Sequence, residues 1–326
     1  RVSIFYTERG GESPLPRVGN MITPDISQKQ KDYYNQDTVW SKRINLNSGV
    51  GLEFFSNTKT ISIDYKIIYS DRDWFYFDLV VNNKYIATYG EEPIETDGGT
   101  VRFDISGTRD YNHIILYFPH TISINISSIM ISKDALIKYD YTKKEKILSL
   151  GDSIMQGMDA KHPINTYPIQ YSRYWNMQLL NQAVGGLVFD LHTLDKHLSY
   201  SPDIIFVAYG TNDWDKCTGF SEYSQKVREY FQQLNRIFID KKIFVFTPIW
   251  RKDFMVKKNT GFLDEIREEI VNACRLYKNM KIIDGRELVP EIKNLYDDRG
   301  IHPNDMGMLY YFINSLNKIN KRGGKI

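Results

Sequence analysis

The chain has 326 residues, enough for one large domain or two of ordinary size. Its hydrophobic content of 42% and aromatic content of 14% are typical of a packed globular protein and exclude a disordered one. The formal net charge is only +2 and both signs are interspersed, so nothing favours a nucleic-acid partner.

The sequence predicts neither a membrane span nor an export signal. No apolar run reaches the length of a membrane-spanning helix, so no membrane partner is expected. The amino end lacks the apolar core of a signal peptide, although a signal removed before residue 1 would leave no trace. Cys217 and Cys274 lie far apart, which indicates a reducing compartment. We therefore expect a cytoplasmic protein, of open oligomeric state.

The first half of the chain has the pattern of an all-β domain. Residues 1 to about 35 are predicted to be irregular and to wrap over another surface. Alternation of apolar and polar residues then continues to Met130, interrupted by turn signals such as Asn82-Asn83 and Gly98-Gly99. Such short alternating strands predict a jelly-roll-like sandwich. We place this accessory β-sandwich at residues 1–144 and a second domain at residues 145–326.

The second half has a β-α-β pattern. Buried strands alternating with long helices predict a parallel sheet covered by helices on both faces. The predicted strands are 147–150, 204–208, 243–246 and 282–283, and the predicted helices are 167–180, 220–238, 263–277 and 304–319.

Polar residues that could form a reactive site follow the predicted strands. Ser153 ends the first strand in Gly-Asp-Ser, and His302 lies in the last loop before the final helix. A serine hydroxyl needs an adjacent base, for which imidazole is the usual choice. Attack on an ester also needs donors for the oxyanion, and loss of one donor costs a factor of about 100 to 1000. The N–H groups of Ser153 and Gly186 and the side-chain amide of Asn212 could supply them, with Gly185 as the alternative glycine.

These motifs carry a family resemblance. Ser, Gly, Asn and His, in this order within G-D-S, N-x-x-x-G-G, G-T-N-D and H-P-N-D, resemble the SGNH subgroup of the GDSL hydrolases over residues 145–326. The resemblance implies a flavodoxin-like three-layer α/β/α sandwich and an acyl-serine mechanism without a cofactor. It also implies that Ser153 is the nucleophile, Gly186 and Asn212 are oxyanion donors and His302 is the base. The sandwich ahead of such a domain resembles bacterial two-domain carbohydrate esterases.

The acid behind His302 departs from the family pattern. The family usually has an aspartate three residues before the histidine, where this chain has Arg299. We expect Asp298 to orient the imidazole. Asp297 and a Ser–His dyad steered by a backbone carbonyl are the alternatives.

Four further residues are candidates for the substrate pocket: Trp214, Trp250, Arg251 and His162. Two of them have a structural alternative, which is a core or rim position for Trp214 and an ion pair with Asp213 or Asp253 for Arg251. His192 and His197 lack a carboxylate at metal-ligand spacing, so no metal is expected.

We therefore predict a serine esterase that removes a small acyl group, O-acetyl, from a carbohydrate. The same acyl-serine would serve an O-acyltransferase, and a lipase or thioesterase of the same fold is a third possibility. A binding module built on a decayed hydrolase is the fourth.

Overall fold

A computed structural model shows a chain divided into two compact units. It describes residues 3–4, 26–105, 109–138, 144–297 and 299–321. Within these ranges, the first unit contains residues 3–4, 45–138 and 162–164, and the second contains residues 26–44, 144–161 and 165–321. One boundary near residue 144 was predicted. The chain instead crosses between the units more than once, because residues 26–44 pack with the second unit.

The first unit is built from two antiparallel sheets. Its described strands are β1 (Ser3–Ile4), β2 (Gly51–Ser56), β3 (Thr60–Ser70), β4 (Phe75–Val81), β5 (Lys84–Glu91), β6 (Gly98–Asp104), β7 (Asn112–Tyr117), β8 (Ile122–Ile131) and β9 (Ile137–Lys138). One sheet has the order β1-β8-β3-β6 and the other has the order β5-β4-β7-β2-β9. Apolar residues of both sheets, among them Ile61 and Phe77, form one core. The eight strands β1 to β8 have the order of a jelly roll, which confirms the predicted architecture.

The second unit contains a parallel sheet of the order β11-β10-β12-β13-β14. This order is that of the flavodoxin-like fold, which confirms the predicted fold class. The central strands are buried and almost wholly apolar, as expected when helices cover both faces of a parallel sheet. The strands are β10 (Lys146–Gly151), β11 (Gln178–Asn181), β12 (Ile204–Ala208), β13 (Lys242–Phe246) and β14 (Met280–Ile283).

The helices of the second unit are α1 (Gln28–Tyr34), α2 (Trp40–Arg43), α3 (Ser153–Gln156), α4 (Tyr167–Trp175), α5 (Thr211–Lys216), α6 (Phe220–Ile237), α7 (Leu263–Cys274) and α8 (Asp305–Lys321). Four of them, α4, α6, α7 and α8, were predicted from the sequence, whereas α1, α2, α3 and α5 were not. A helix was predicted to reach residue 180, but it ends at Trp175. Asn176 takes a left-handed conformation with φ of 52°, which asparagine tolerates better than most residues. The chain then enters β11.

Helices α1 and α2 form a strap on the second unit, and α1 falls within the segment that was predicted to be irregular. A capping box between Ser27 and Gln30 starts α1. The Gln30 side chain donates to the backbone oxygen of Thr193 at 2.7 Å. The Tyr33 ring stacks on His192 with ring centres 4.9 Å apart. The strap is therefore an integral part of the unit that carries Ser153.

None of the described helices is both long enough and apolar enough to cross a membrane.

Candidate active site

The turn that presents Ser153 lies at the carboxyl end of β10. Asp152 caps the short helix α3, because its side chain accepts a hydrogen bond from the Ile154 N–H at 2.9 Å. Ser153 is the first residue of this helix, so its own N–H has no acceptor inside the helix. The helix ends after one turn at Gly157, which has φ of 96°.

The Ser153 hydroxyl faces the His302 imidazole. Ser153 Oγ lies 2.8 Å from His302 Nε2, and both side chains are buried. The loop that holds His302 is closed by its own hydrogen bonds, because the Asp297 N–H donates to the His302 oxygen and the Asp297 carboxylate accepts from the His302 N–H. This geometry allows the hydroxyl to donate to an unprotonated Nε2, as nucleophilic catalysis requires.

The other ring nitrogen of His302 faces two carboxylates. Nδ1 lies 2.7 Å from Asp159 Oδ2 and 3.6 Å from Asp297 Oδ2. Burial alone would lower the pKa of His302, but the hydrogen bonds and negative charges of these two aspartates outweigh it and raise the pKa above 6.5. Asp298, the predicted acid, lies outside the described residues. The described carboxylate closest to Nδ1 is thus that of Asp159.

Arg299 bridges the two carboxylates. Its Nε donates to Asp297 Oδ2 at 2.9 Å, and its Nη2 lies 3.4 Å from Asp159 Oδ2. The same Nη2 also lies 3.0 Å from His302 Nδ1. Nδ1 cannot accept from arginine while it donates to Asp159, and the shorter contact and the raised pKa of His302 favour the bond to Asp159. Hydrogen bonds from His302, Arg299 and the loop backbone outweigh burial and lower the pKa of Asp297.

Asp159 was missed by the sequence analysis because it lies far from His302 along the chain. Gly157 ends α3 and Asp159 itself adopts a left-handed conformation with φ of 68°. These two residues turn the chain back towards Ser153. An aspartate soon after a glycine that ends such a short helix was the only available signal, and it is a weak one.

The hydrogen bonds of Gly185 and Gly186, the two glycines after β11, indicate which of them can donate to an oxyanion. The Gly185 N–H donates to Gln156 Oε1 at 2.8 Å, so this donor is occupied. Gly186 has φ of 91°, and its N–H donates no hydrogen bond to the residues that the structure describes. Its carbonyl oxygen accepts from Lys216 Nζ at 2.6 Å. Gly186 therefore stays the candidate oxyanion donor.

Asn212 lies beside this glycine loop. Its Nδ2 donates to the Leu187 oxygen at 2.9 Å, and the second N–H of the amide remains for a ligand. The buried Asp213 carboxylate accepts from the N–H groups of Phe189 and Gly210, which ties the glycine loop to the turn before α5. Burial raises the pKa of Asp213 to about 7.

Two of the pocket candidates, Trp214 and Arg251, are buried and contact other residues of the protein. Trp214 is only 1% exposed, and its Nε1 donates to the Gly261 oxygen at 2.9 Å. Its ring is contacted by Lys258, whose Nζ lies 3.7 Å from the ring centre. Arg251 is buried and pairs with Asp253 through two hydrogen bonds and with Asp215 through a third. These contacts correspond to the structural alternatives for the two residues, a core position for Trp214 and an ion pair with Asp253 for Arg251, and their contact with substrate stays a prediction.

The other two pocket candidates, Trp250 and His162, belong to different units of the chain. Trp250 is half-buried and packs on Tyr296, which directly precedes Asp297, with ring centres 4.9 Å apart. It stays a candidate for the pocket. His162 belongs to the first unit, where its Nδ1 lies 3.0 Å from Asp78 Oδ1 and its ring stacks on Tyr76. Its contact with substrate stays a prediction.

One group in the described part of the chain has the composition of a metal site. It consists of Asp159, Asp297 and His302, whose ligand atoms lie within 4.8 Å of one another. The Nδ1 of His302 already bonds Asp159 there, and Arg299 places a positive charge between the two carboxylates. This set suits the orientation of an imidazole better than the binding of a cation.

Comparison with known proteins identifies the family of residues 149–309. Residues 149–309 match the sequence profile of the GDSL-like lipase/acylhydrolase family, so the chain carries a domain of that family, as its motifs indicated. Among curated proteins, no sequence matches significantly.

Solved structures match much more of the chain. The salicylyl-acyltransferase SsfX3 from a tetracycline biosynthetic pathway is 16% identical, with a TM-score of 0.82 over 99% of this chain and 98% of its own. A family two carbohydrate esterase from Clostridium thermocellum is 13% identical, with a TM-score of 0.64 over 84% of this chain and 93% of its own. The acetyl xylan esterase Est2A from Butyrivibrio proteoclasticus is 13% identical, with a TM-score of 0.58 over 86% and 90%. At these identities the similarity establishes the fold.

Proposed function

We propose that this protein is a serine esterase that removes a small acyl group, O-acetyl, from a carbohydrate. Ser153 is the nucleophile, His302 the general base and Asp159 the acid that orients His302. The observation that carries the proposal is the continuous line of contacts from Ser153 Oγ to His302 Nε2 at 2.8 Å and from His302 Nδ1 to Asp159 Oδ2 at 2.7 Å.

The proposed reaction has two halves. His302 Nε2 takes the proton of Ser153 as Oγ attacks the ester carbonyl, and then gives that proton to the departing sugar oxygen. Water attacks the acyl-serine in the same way and releases acetate. Asp159 holds the imidazole in the tautomer with a proton on Nδ1 and stabilises the positive charge that forms.

The oxyanion would be bound by three donors. These are the N–H groups of Ser153 and Gly186 and the second N–H of the Asn212 amide. The Ser153 and Gly186 N–H groups belong to backbone whose neighbouring groups are hydrogen-bonded, and the Asn212 side chain is held by its bond to the Leu187 oxygen, so little reorganisation is needed as charge develops.

The carbohydrate substrate is supported by similarity of fold. Carbohydrate esterases, among them an acetyl xylan esterase, share the two-unit architecture over most of this chain. The half-buried Trp250 near the His302 loop offers an aromatic face of the kind that packs against sugar rings.

An O-acyltransferase is the second candidate. The match to a salicylyl-acyltransferase covers nearly the whole chain at a TM-score of 0.82. The same acyl-serine serves both reactions, and access of water or of an acceptor hydroxyl decides between them.

Release of acetate from acetylated xylo-oligosaccharides by wild-type protein and by Ser153→Ala tests the proposal. We expect the variant to lose activity by a factor of at least about 1000 while it keeps the wild-type melting temperature. Full activity in Ser153→Ala would contradict the assignment. Product analysis with an acceptor glycan present separates the two reactions, because a transferase would acylate the acceptor faster than it releases acetate.

A further inference from the structure

Three nitrogen donors surround one point beside Gly186. A Cβ built on this glycine would have as its nearest neighbours Trp40 Nε1 at 3.4 Å, Lys216 Nζ at 3.6 Å and Arg43 Nη1 at 3.7 Å. All three atoms carry N–H groups, and two of the side chains are positively charged. Gly186 itself is partly exposed, so a ligand can reach this point.

Contacts of the Lys216 and Trp40 side chains and of the Arg43 backbone link this group to the glycine loop and to α3. Lys216 donates to the Gly186 oxygen and lies 5.6 Å from the centre of the Trp40 ring. The backbone oxygen of Arg43 accepts from Gln156 Nε2 at 2.9 Å, which ties α2 to the helix that carries Ser153. A cationic site is thereby built next to the candidate oxyanion donor.

The Trp40 indole remains available to a ligand. Its N–H donates no hydrogen bond to the residues that the structure describes, and the ammonium of Lys216 has further N–H groups besides the one used by Gly186. An indole N–H needs an acceptor when water is excluded, and an oxygen of a bound ligand would provide it.

We propose that Trp40, Arg43 and Lys216 form a carboxylate subsite beside the oxyanion hole, so that the preferred ester carries a carboxylate near its acyl carbon. A planar guanidinium, an ammonium and an indole N–H together match the two oxygens of a carboxylate. The carboxylate can belong to the acyl group, as in a dicarboxylic acid monoester, or to the alcohol, as in an acetylated uronic acid. The proposal rests on the esterase function proposed above.

Two pairs of esters that differ in one carboxylate test the subsite and its source. The first pair is monomethyl succinate against methyl butyrate, and the second is acetylated methyl glucuronoside against acetylated methyl glucoside. We expect wild-type protein to prefer the acidic member of one pair by about tenfold to a hundredfold in kcat/KM, the usual range for a charged hydrogen bond. The pair that shows the preference identifies the acyl or the alcohol source.

Arg43→Gln should remove this preference while kcat/KM for the neutral ester changes by less than about twofold. Arg43→Lys keeps the charge and should restore part of the preference. Lys42→Gln, which changes an exposed lysine of the same helix, should leave both values unchanged. A wild type without preference, or an equal loss on acidic and neutral esters in Arg43→Gln, would overturn the proposal.

A binding measurement separates the failure of this proposal from that of the esterase function. Titration calorimetry of Ser153→Ala with succinate and with glucuronate should show binding of at least one of them, weakened about tenfold or more by Arg43→Gln. Glucose serves as the neutral control. If no ester is hydrolysed and yet this binding holds, the esterase function fails and the subsite stands. If neither anion binds, the subsite fails.

Discussion

The carboxylate of Asp159 lies 2.7 Å from Nδ1 of His302, although the two residues are 143 positions apart in the sequence. Asp159 is only six positions beyond Ser153. In the proposed mechanism, the turn after Ser153 therefore supplies the acid, whereas the family pattern places it just before the histidine. Arg299 stands at that family position and pairs with Asp297 instead.

Asp159→Asn should lower kcat by a factor of about 100 to 10,000, because the amide no longer stabilises the imidazolium or fixes its tautomer. Asp297→Asn is the matched comparison and should cost less than about tenfold, since this carboxylate lies 3.6 Å from Nδ1 and serves mainly the loop backbone. Steady-state kinetics on an activated acetate ester compares the two. A larger loss in Asp297→Asn would assign the role of the acid to Asp297.

The pH profile should reflect the raised pKa of His302. The imidazole must be neutral to accept the Ser153 proton, so activity is lost as the pH falls through its pKa. We expect the acidic limb of kcat/KM to lie above pH 6.5 in wild-type protein. Asp159→Asn removes a negative charge, lowers the pKa of His302 and should move the limb to lower pH. An unchanged limb in this variant would show that Asp159 is not coupled to the base.

The sequence predicted the parts of the site that lie within local motifs. Ser153, Gly186, Asn212 and His302 each follow a strand whose apolar pattern was clear, and parallel strands bring their carboxyl ends to one edge of the sheet. Asp159 carries no such pattern, because its position depends on two left-handed residues after a short helix. Trp214 was placed in the pocket because it follows Asn212, but helical geometry turns it towards the core.

The strap formed by α1 and α2 was not predicted as helix. Few apolar residues mark this segment, and its helices gain stability by packing on the second unit, through contacts such as that of Gln30 with Thr193. For the same reason Trp40 and Arg43 could not be linked to Gly186 from the sequence, since only tertiary structure brings them together.

Gly186→Ala should lower kcat about a hundredfold and cost at most about 1 to 2 kcal/mol of stability. The added Cβ would meet its neighbours at ordinary contact distances of 3.4 Å or more, so the main cost is the φ of 91°, which disfavours alanine by about 1 to 2 kcal/mol. Relief of this strain would turn the N–H away from the oxyanion. Gly219→Ala is the control, because its Cβ would meet nothing within 4 Å and its backbone is extended. Equal kcat in both variants would exclude Gly186 as a donor.

Trp214→Ala should destabilise the protein by about 3 to 5 kcal/mol, as is usual for removal of a buried aromatic side chain. Trp250→Ala should cost less than about 2 kcal/mol, because this tryptophan is half-buried, and should instead raise KM for a carbohydrate ester. Chemical denaturation and steady-state kinetics measure the two effects. A stable Trp214→Ala with raised KM would place Trp214 in the pocket.

The central claim is that Ser153 is a nucleophile activated by His302, and covalent labelling tests it most directly. Wild-type protein treated with a fluorophosphonate should gain one label, which peptide mass spectrometry should locate on Ser153. His302→Ala should be labelled far more slowly, and Ser153→Ala not at all. A label on another residue, or an active wild-type protein that takes no label, would contradict the account.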